Sequence, residues 1–420
     1  MDRVILHSDC NCFYASVEML HHPELAGRPL AVGGDPQARH GIVLTANYIA
    51  KRRGVKTAMA LWQAREACPD IVFLPPRMDL YLRFSAMTRE IYGEYTDRIE
   101  PFGCDEAWLD VTHALVMRGK EVGLAAGREL AEEIRARINR ELGITLSIGV
   151  SWNKIFAKFG SDYKKPDAVT LIDRDNYRDI VWSKPAMDLL MVGRRTAPKL
   201  ARLGIHTIGD IARTDPQILE RHLGKMGLVI HAFANGGDVS PVCAQDYHAP
   251  IKSIGNGTTT PRDLENEQDV RIIFMALAES VSARLRDHGF RCRTVAIGVR
   301  DNGLYHFSRQ VKVRRPTDIT DEIMDAAMTL FRRNYDWQHP IRSLGLRGAD
   351  LVTADAPVQR ELFYDPEKRE RLDAAVDDIR RRFGYFAVQR AFMYQDRQLM
   401  QLDARGDNVV HPLSYLHAEM

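Results

Sequence analysis

Hydrophobic periodicity in this chain spells the same order of elements twice: strand, helix, strand, strand, helix, strand. The first copy opens on Val4-Ile5-Leu6, a short buried-strand pattern that ends at Asp9, and a helical repeat occupies 13–20. It resumes with a long helix over 79–97, a strand over 99–102, a tight turn, a strand over 106–111, a helix over about 119–142 and a strand over 145–150. That is the ferredoxin-like split β-α-β-β-α-β unit. Its third strand runs antiparallel to its first, so Asp105 and Glu106, at the turn that begins the third, are expected to face Asp9 at the end of the first.

Between the two pieces, 30–32, 42–45 and 71–74 read as short strands among small helices, with Gly33-Gly34-Asp35-Pro36 as a turn. This is a compact insertion. Beyond Pro166 a helical segment with Leu-Gly turn signals runs to about Gly237, and the polar stretch 238–250 reads as a linker. Residues 251–350 carry the second copy, with helices over 270–286 and 319–333 and alternating strands over 293–299 and 305–313. One further helix comes after it, with Asp365 as N-cap, Pro366 at the first helical position and Gly384 as its stop. The fold class is α+β, and 420 residues are enough for several domains.

Three carboxylates at one sheet end repel each other unless cations neutralise them. Mg²⁺, a hard ion that prefers oxygen, suits Asp9, Asp105 and Glu106. Two such ions can activate an attacking hydroxyl and stabilise the leaving oxygen of an in-line phosphoryl displacement. Divalent-metal phosphoryl transfer is therefore the expected chemistry.

Charge points the same way only once it is mapped along the chain. Lys and Arg number 58 against 56 Asp and Glu, so the total says nothing about partners. Between Arg284 and Arg315, however, nine basic residues meet two acidic ones. Alternation there leaves Ser308, Gln310, Lys312 and Arg314 on one strand face, with Arg309 beside them, which suits tracking of nucleic-acid phosphates. The six scattered cysteines form no CxxC pair and no secretory leader opens the chain, which indicates a reducing cytoplasm. No apolar run reaches the roughly 18 residues of a membrane span.

Five motifs, taken in order, resemble the Y-family translesion DNA polymerases, and most of all the bacterial DNA polymerase IV (DinB) branch. They are Ser8-Asp9-Cys10-Asn11-Cys12-Phe13-Tyr14-Ala15-Ser16-Val17-Glu18, Thr45-Ala46-Asn47-Tyr48, Gly54-Val55-Lys56, Asp105-Glu106-Ala107-Trp108-Leu109-Asp110-Val111 and Asn153-Lys154-Ile155-Phe156-Ala157-Lys158. The resemblance covers roughly residues 1–350. It implies a right-hand polymerase: a ferredoxin-like palm (1–11 and 77–165), small fingers (12–76), a helix-hairpin-helix thumb (166–237), a linker (238–250), a β-α-β-β-α-β little finger (251–352) and a C-terminal tail (353–420).

The resemblance also implies roles. Asp9, Asp105 and Glu106, with the main-chain carbonyl of Cys10, hold two Mg²⁺ ions. Tyr14 lies under the sugar of the incoming deoxynucleoside triphosphate and excludes a 2′-hydroxyl. Tyr48, Lys51 and Lys165 contact the triphosphate, with Thr45 as a further hydroxyl, and Leu44 contributes to the roof over the nascent base pair. Asn11 stands where many members have a second Asp, and Gly103 where a Ser is common. The run Val192-Gly193-Arg194-Arg195-Thr196-Ala197, with Lys199 just beyond it, resembles a hairpin whose main-chain N–H groups meet primer-template phosphates, although Met191 replaces its first Gly. Gln359, Leu362 and Phe363 resemble the short peptide that bacterial polymerases insert into the sliding clamp. The implied activity is template-dependent, low-fidelity DNA synthesis past damaged bases by a monomer, without proofreading. The alternative is a non-catalytic DNA- and clamp-binding scaffold, whose sign would be loss of the metal carboxylates.

Overall fold

A computed structural model describes residues 2–34, 41–247, 249–357, 366–404 and 406. The described residues fall into two compact units that divide at about residue 250.

In the first unit, strand β1 (Ile5–Cys10) is buried along its whole length. Such a strand must have neighbours on both sides to satisfy its backbone. A turn through Cys12, in the left-handed region at φ 40°, leads directly into helix α1 (Phe13–His21). Next come β2 (Leu30–Gly33), β3 (Val43–Ala46), α2 (Tyr48–Arg52), α3 (Leu61–Ala67) and β4 (Val72–Leu74). Their three strands form a separate small sheet in the order β3-β2-β4, with β4 parallel to β2. It has its own core around Ala31, Val43, Val55 and Leu61. Asn47 starts α2 by accepting a hydrogen bond from the Ala50 N–H.

The chain then returns to the main sheet through α4 (Met78–Gly93), β5 (Ile99–Pro101), β6 (Glu106–Asp110), α5 (Thr112–Met117), α6 (Leu124–Leu142), β7 (Leu146–Ser151), α7 (Lys154–Tyr163) and β8 (Val169–Leu171). Strand order is β5-β6-β1-β7-β8, with β1 antiparallel to both β6 and β7. The first four strands have the expected ferredoxin-like arrangement. The fifth, β8, pairs in parallel with β7 from a stretch that sequence periodicity had assigned to a helical segment. Three residues are too short for a periodicity signal, and only the pairing with β7 makes them a strand.

Helix α7 lies unusually close to the sheet because Gly149 on β7 has no side chain; a Cβ there would run into the carbonyl of Ala157. Helices α8 (Ala197–Ala201), α9 (Ile208–Arg213), α10 (Pro216–Leu223) and α11 (Lys225–Ala234) then pack around Leu200, Ile208, Ile211, Leu219 and Ile230. The stretch after them, polar enough to read as a linker, is docked at its start. Asp238 Oδ2 accepts from the Lys154 N–H at 3.1 Å, Arg3 donates to the Ser240 carbonyl at 2.7 Å, and Val242 is buried.

The second unit contains β9 (Ser253–Leu264), α12 (Glu267–Asp287), β10 (Phe290–Asp301), β11 (His306–Thr317), α13 (Thr320–Asn334) and β12 (Ile341–Thr353). Its chain order repeats that of the main sheet, but its strand order, β11-β10-β12-β9, puts the first strand at an edge instead of inside.

Residues 366–404, expected as a tail, belong to this unit. Helix α14 (Glu367–Phe383) is capped by Pro366 and ends at Gly384, φ 92°, so it starts one residue later than the cap signal implied; Asp365 lies outside the described residues. The buried Glu279 of α12 accepts from Arg380 at 2.9 Å and from the Tyr385 hydroxyl at 3.0 Å. Arg286 donates to Asp377 at 2.6 Å, and Asp373 accepts from the Thr320 N–H at 2.8 Å. Met393, Leu399 and Ala404 complete the apolar core. Among the described residues, no helix is long and apolar enough to cross a membrane.

Candidate active site

The register of β1 against β6 places Asp9 directly opposite Glu106. Cys10 N–H donates to the Asp105 carbonyl at 3.0 Å, which ties the turn carrying Asp105 to the end of β1. That turn passes through Gly103 at φ 100°, a conformation in which the Ser common in the family would be strained. All three carboxylates expected to converge do so, and they line one cleft with Tyr14, Leu44, Thr45, Lys51 and Lys165.

Crowding governs their protonation. Burial, then the charge of Glu106, pushes Asp9 up to about 7 even though Lys165 pulls it back. The same two causes, in the same order, raise Asp105 to about 6. Burial also opposes ionisation of Glu106, but His7 and Lys158 outweigh it and bring that carboxyl down to about 2. Three carboxylates that resist simultaneous ionisation have the oxygen-only donor chemistry that suits hard divalent cations, whose charge would remove the repulsion, although among the described residues no three such groups stand in metal-holding geometry.

Two lysines supply positive charge at this cluster. Lys165 Nζ donates to Asp9 Oδ2 at 2.6 Å and lies 2.8 Å from Asp162 Oδ1. Lys158 Nζ donates to Glu106 Oε2, and His7 Nε2 stands 3.2 Å from the same oxygen. Sequence motifs included Lys158 without a role. Its signal was the i, i+4, i+8 spacing of Lys154, Lys158 and Asp162, which puts all three on one face of α7.

Nucleotide-side residues are partly together. Tyr14 lies flat against Tyr81, with ring centroids 4.4 Å apart, and Tyr81 hydroxyl donates to the buried Glu18 at 2.6 Å. Burial raises the Tyr14 phenol, whose hydroxyl meets the Cys104 thiol. Lys51 Nζ sits 4.8 Å from the centre of the Tyr48 ring. Asn11, fully buried, accepts from Tyr48 hydroxyl at 3.2 Å and from Ser147 Oγ at 3.0 Å. The amide that replaces an expected Asp therefore works as a neutral acceptor that holds Tyr48, and adds no fourth charge to the cluster.

Gly193, Arg194, Arg195 and Lys199 are exposed together on the first unit. Met191 keeps φ 75°, the left-handed backbone for which the missing Gly is suited. In the second unit, Lys312 stands opposite Thr294 and Gln310 opposite Ala296, on the open face of the sheet. Arg309 is paired with the core residue Ile297 and points the other way, with Nε donating to Asn334 at 3.2 Å; the structure does not bring it together with Lys312 and Arg314. Gln359, Leu362 and Phe363 lie outside the described residues.

Known proteins match this arrangement along the chain. The impB/mucB/samB family model covers residues 8–162, and the model of that family's C-terminal domain covers 251–362. DNA polymerase IV of Acetivibrio thermocellus is 48% identical over 405 residues, 96% of this chain and 100% of the relative. DNA polymerase IV 1 of Bacillus subtilis is 37% identical, covering 92% of each chain. A solved Y-family DNA polymerase chimera superimposes with a TM-score of 0.72 at 25% identity, over 83% of this chain and 99% of its own. Family models, full-length relatives and fold agree: the chain belongs to the impB/mucB/samB family and is a translesion DNA-directed DNA polymerase of the DNA polymerase IV type.

Proposed function

We propose that Asp9, Asp105 and Glu106, with the carbonyl of Cys10, hold two Mg²⁺ ions, and that the primer 3′-hydroxyl attacks the α-phosphate of a deoxynucleoside triphosphate beside them. The observation that carries this reading is the register that sets Asp9 against Glu106 with Asp105 tied to Cys10. When bound, the ions supply charge neutralisation and activation of the attacking and leaving oxygens.

The chain's own residues do the rest. Tyr14, stiffened by Tyr81, presents a flat wall to the sugar. Lys165 and Lys51 offer donors and positive charge to the triphosphate, with Thr45 beside them in the cleft, and Tyr48 reaches it on release of its hydroxyl from Asn11. In hand terms the main sheet is the palm, the small sheet of β2, β3 and β4 the fingers, α8 to α11 the thumb and the second unit the little finger. The exposed Gly193–Lys199 hairpin and the Lys312–Arg314 sheet face grip DNA phosphates without reading sequence. Gln359, Leu362 and Phe363 engage a sliding clamp, and the enzyme works as a monomer.

Primer extension on a defined template tests the metal reading. Synthesis is expected with Mg²⁺ and should stop on chelation; synthesis at an equal rate in the chelator contradicts it.

A further inference from the structure

The fingers carry a side chain that the active site does not use. Trp62, in α3, is 68% exposed, although its neighbour Leu61 is 4% exposed and anchors the helix. Ile42, 42% exposed, lies beside the start of that helix through its bridge with Ala60. Leu44 lines the cleft, and Ile42, just before β3, is linked to the start of α3 through Ala60, while the register of β3 against β2 shifts between the two at Leu44. Ile42 and Trp62 are thus two exposed apolar side chains at the start of α3.

The path from the cleft to Trp62 is short and positively charged. Thr57 lines the cleft five residues before Trp62, so at about 3.3–3.6 Å per residue their Cα atoms are at most about 18 Å apart. With one phosphate per roughly 3.4 Å of a DNA strand, that span covers only the first few nucleotides beyond the templating position. Residues 41–74 hold five Lys and Arg, all exposed, against two acidic residues, and one of those two, Asp70, is paired with Arg53.

An exposed ring in a basic setting is the arrangement that binds single-stranded nucleic acid by stacking. We propose that Trp62 stacks on an unpaired template base just 5′ of the templating position, with Ile42 supporting it, so that the fingers hold the incoming single strand in line with the cleft. This rests on the polymerase reading of the cleft, because only a template-copying site has a strand that arrives there unpaired.

The test is anisotropy titration of the full chain with labelled primer-templates bearing either a single-nucleotide or a longer 5′ overhang. Wild type is expected to bind the longer overhang more tightly. Trp62→Ala should lose about five- to tenfold on the longer overhang and almost nothing on the short one, while Trp62→Phe, which keeps a stacking face, retains most of the affinity. Thermal unfolding should be unchanged in both variants, since the ring is exposed. Equal affinity of Trp62→Ala and wild type for the longer overhang overturns the proposal, and so does an equal loss on both overhangs. Wild-type primer extension is run alongside: its absence defeats the polymerase reading, whereas extension with a flat overhang response defeats the stacking alone.

Discussion

The ring of Tyr14 rests on that of Tyr81 at 4.4 Å with only 15° between their planes, and Tyr81 is locked by its hydrogen bond to Glu18. In the role proposed for Tyr14, a filter against a 2′-hydroxyl, the ring must be rigid, and this stack stiffens it. Tyr14→Ala should raise the ratio of ribonucleotide to deoxynucleotide incorporation in single-nucleotide kinetics. Tyr81→Leu, which frees the ring without removing it, should raise the ratio by less. An unchanged ratio in Tyr14→Ala would move the filter elsewhere, with Phe13 next in line.

Leu44 lines the cleft next to Thr45, and in the role proposed for it, part of the roof over the nascent base pair, its bulk would reduce the space for a displaced template base. Leu44→Ala should raise the efficiency of insertion opposite a damaged base relative to an undamaged one, or lower fidelity, with little change in correct insertion. Matching ratios and misinsertion frequencies, in a variant with unaltered unfolding, would make Leu44 an ordinary strand residue.

How much of this was legible in the sequence depends on which force decides each feature. The convergence of Asp9, Asp105 and Glu106 could be read because antiparallel pairing of neighbouring strands leaves few registers, and burial of β1 selects among them. By contrast, strand β8 is too short to carry a pattern and exists only by pairing with β7. The docking of 238–242 depends on single hydrogen bonds, such as Asp238 to the Lys154 N–H, which composition does not announce. Helix α14 was expected in a tail because what docks it is charge turned inward; its partners Glu279 and Arg286 sit on α12, roughly a hundred residues away in the chain. Lys158 stood in a motif with only its helical spacing to mark it, and it reaches Glu106 because Gly149 lets α7 lie close to the sheet.

That inward-facing charge makes its own prediction. Breaking a buried ion pair leaves a charge uncompensated, at a cost of about 3 kcal/mol. Arg380→Ala should destabilise the second unit by less than that amount in denaturant unfolding, because Arg390 still lies 3.7 Å from Glu279 and Tyr385 still donates to it. The double variant Arg380→Ala with Glu279→Gln should recover part of the loss. A single variant as stable as wild type would mean that the α14 contacts contribute little.

Leu362 and Phe363 are expected to fill an apolar pocket on the clamp, with Gln359 as a polar anchor. Replacing both with Ala should remove stimulation of synthesis by a loaded clamp and leave synthesis without the clamp intact. Equal stimulation of variant and wild type would release these residues from that role.

In the mechanism proposed, the carboxylate cluster performs chemistry while DNA is held elsewhere. Asp105 contributes a carboxylate to the cleft and makes no part of the exposed basic hairpin or sheet face. The most direct measurement compares Asp105→Ala with wild type in two assays on the same primer-template, extension rate and binding affinity. Extension is expected to be abolished while affinity stays within a few fold. Extension at a rate comparable to wild type would contradict it.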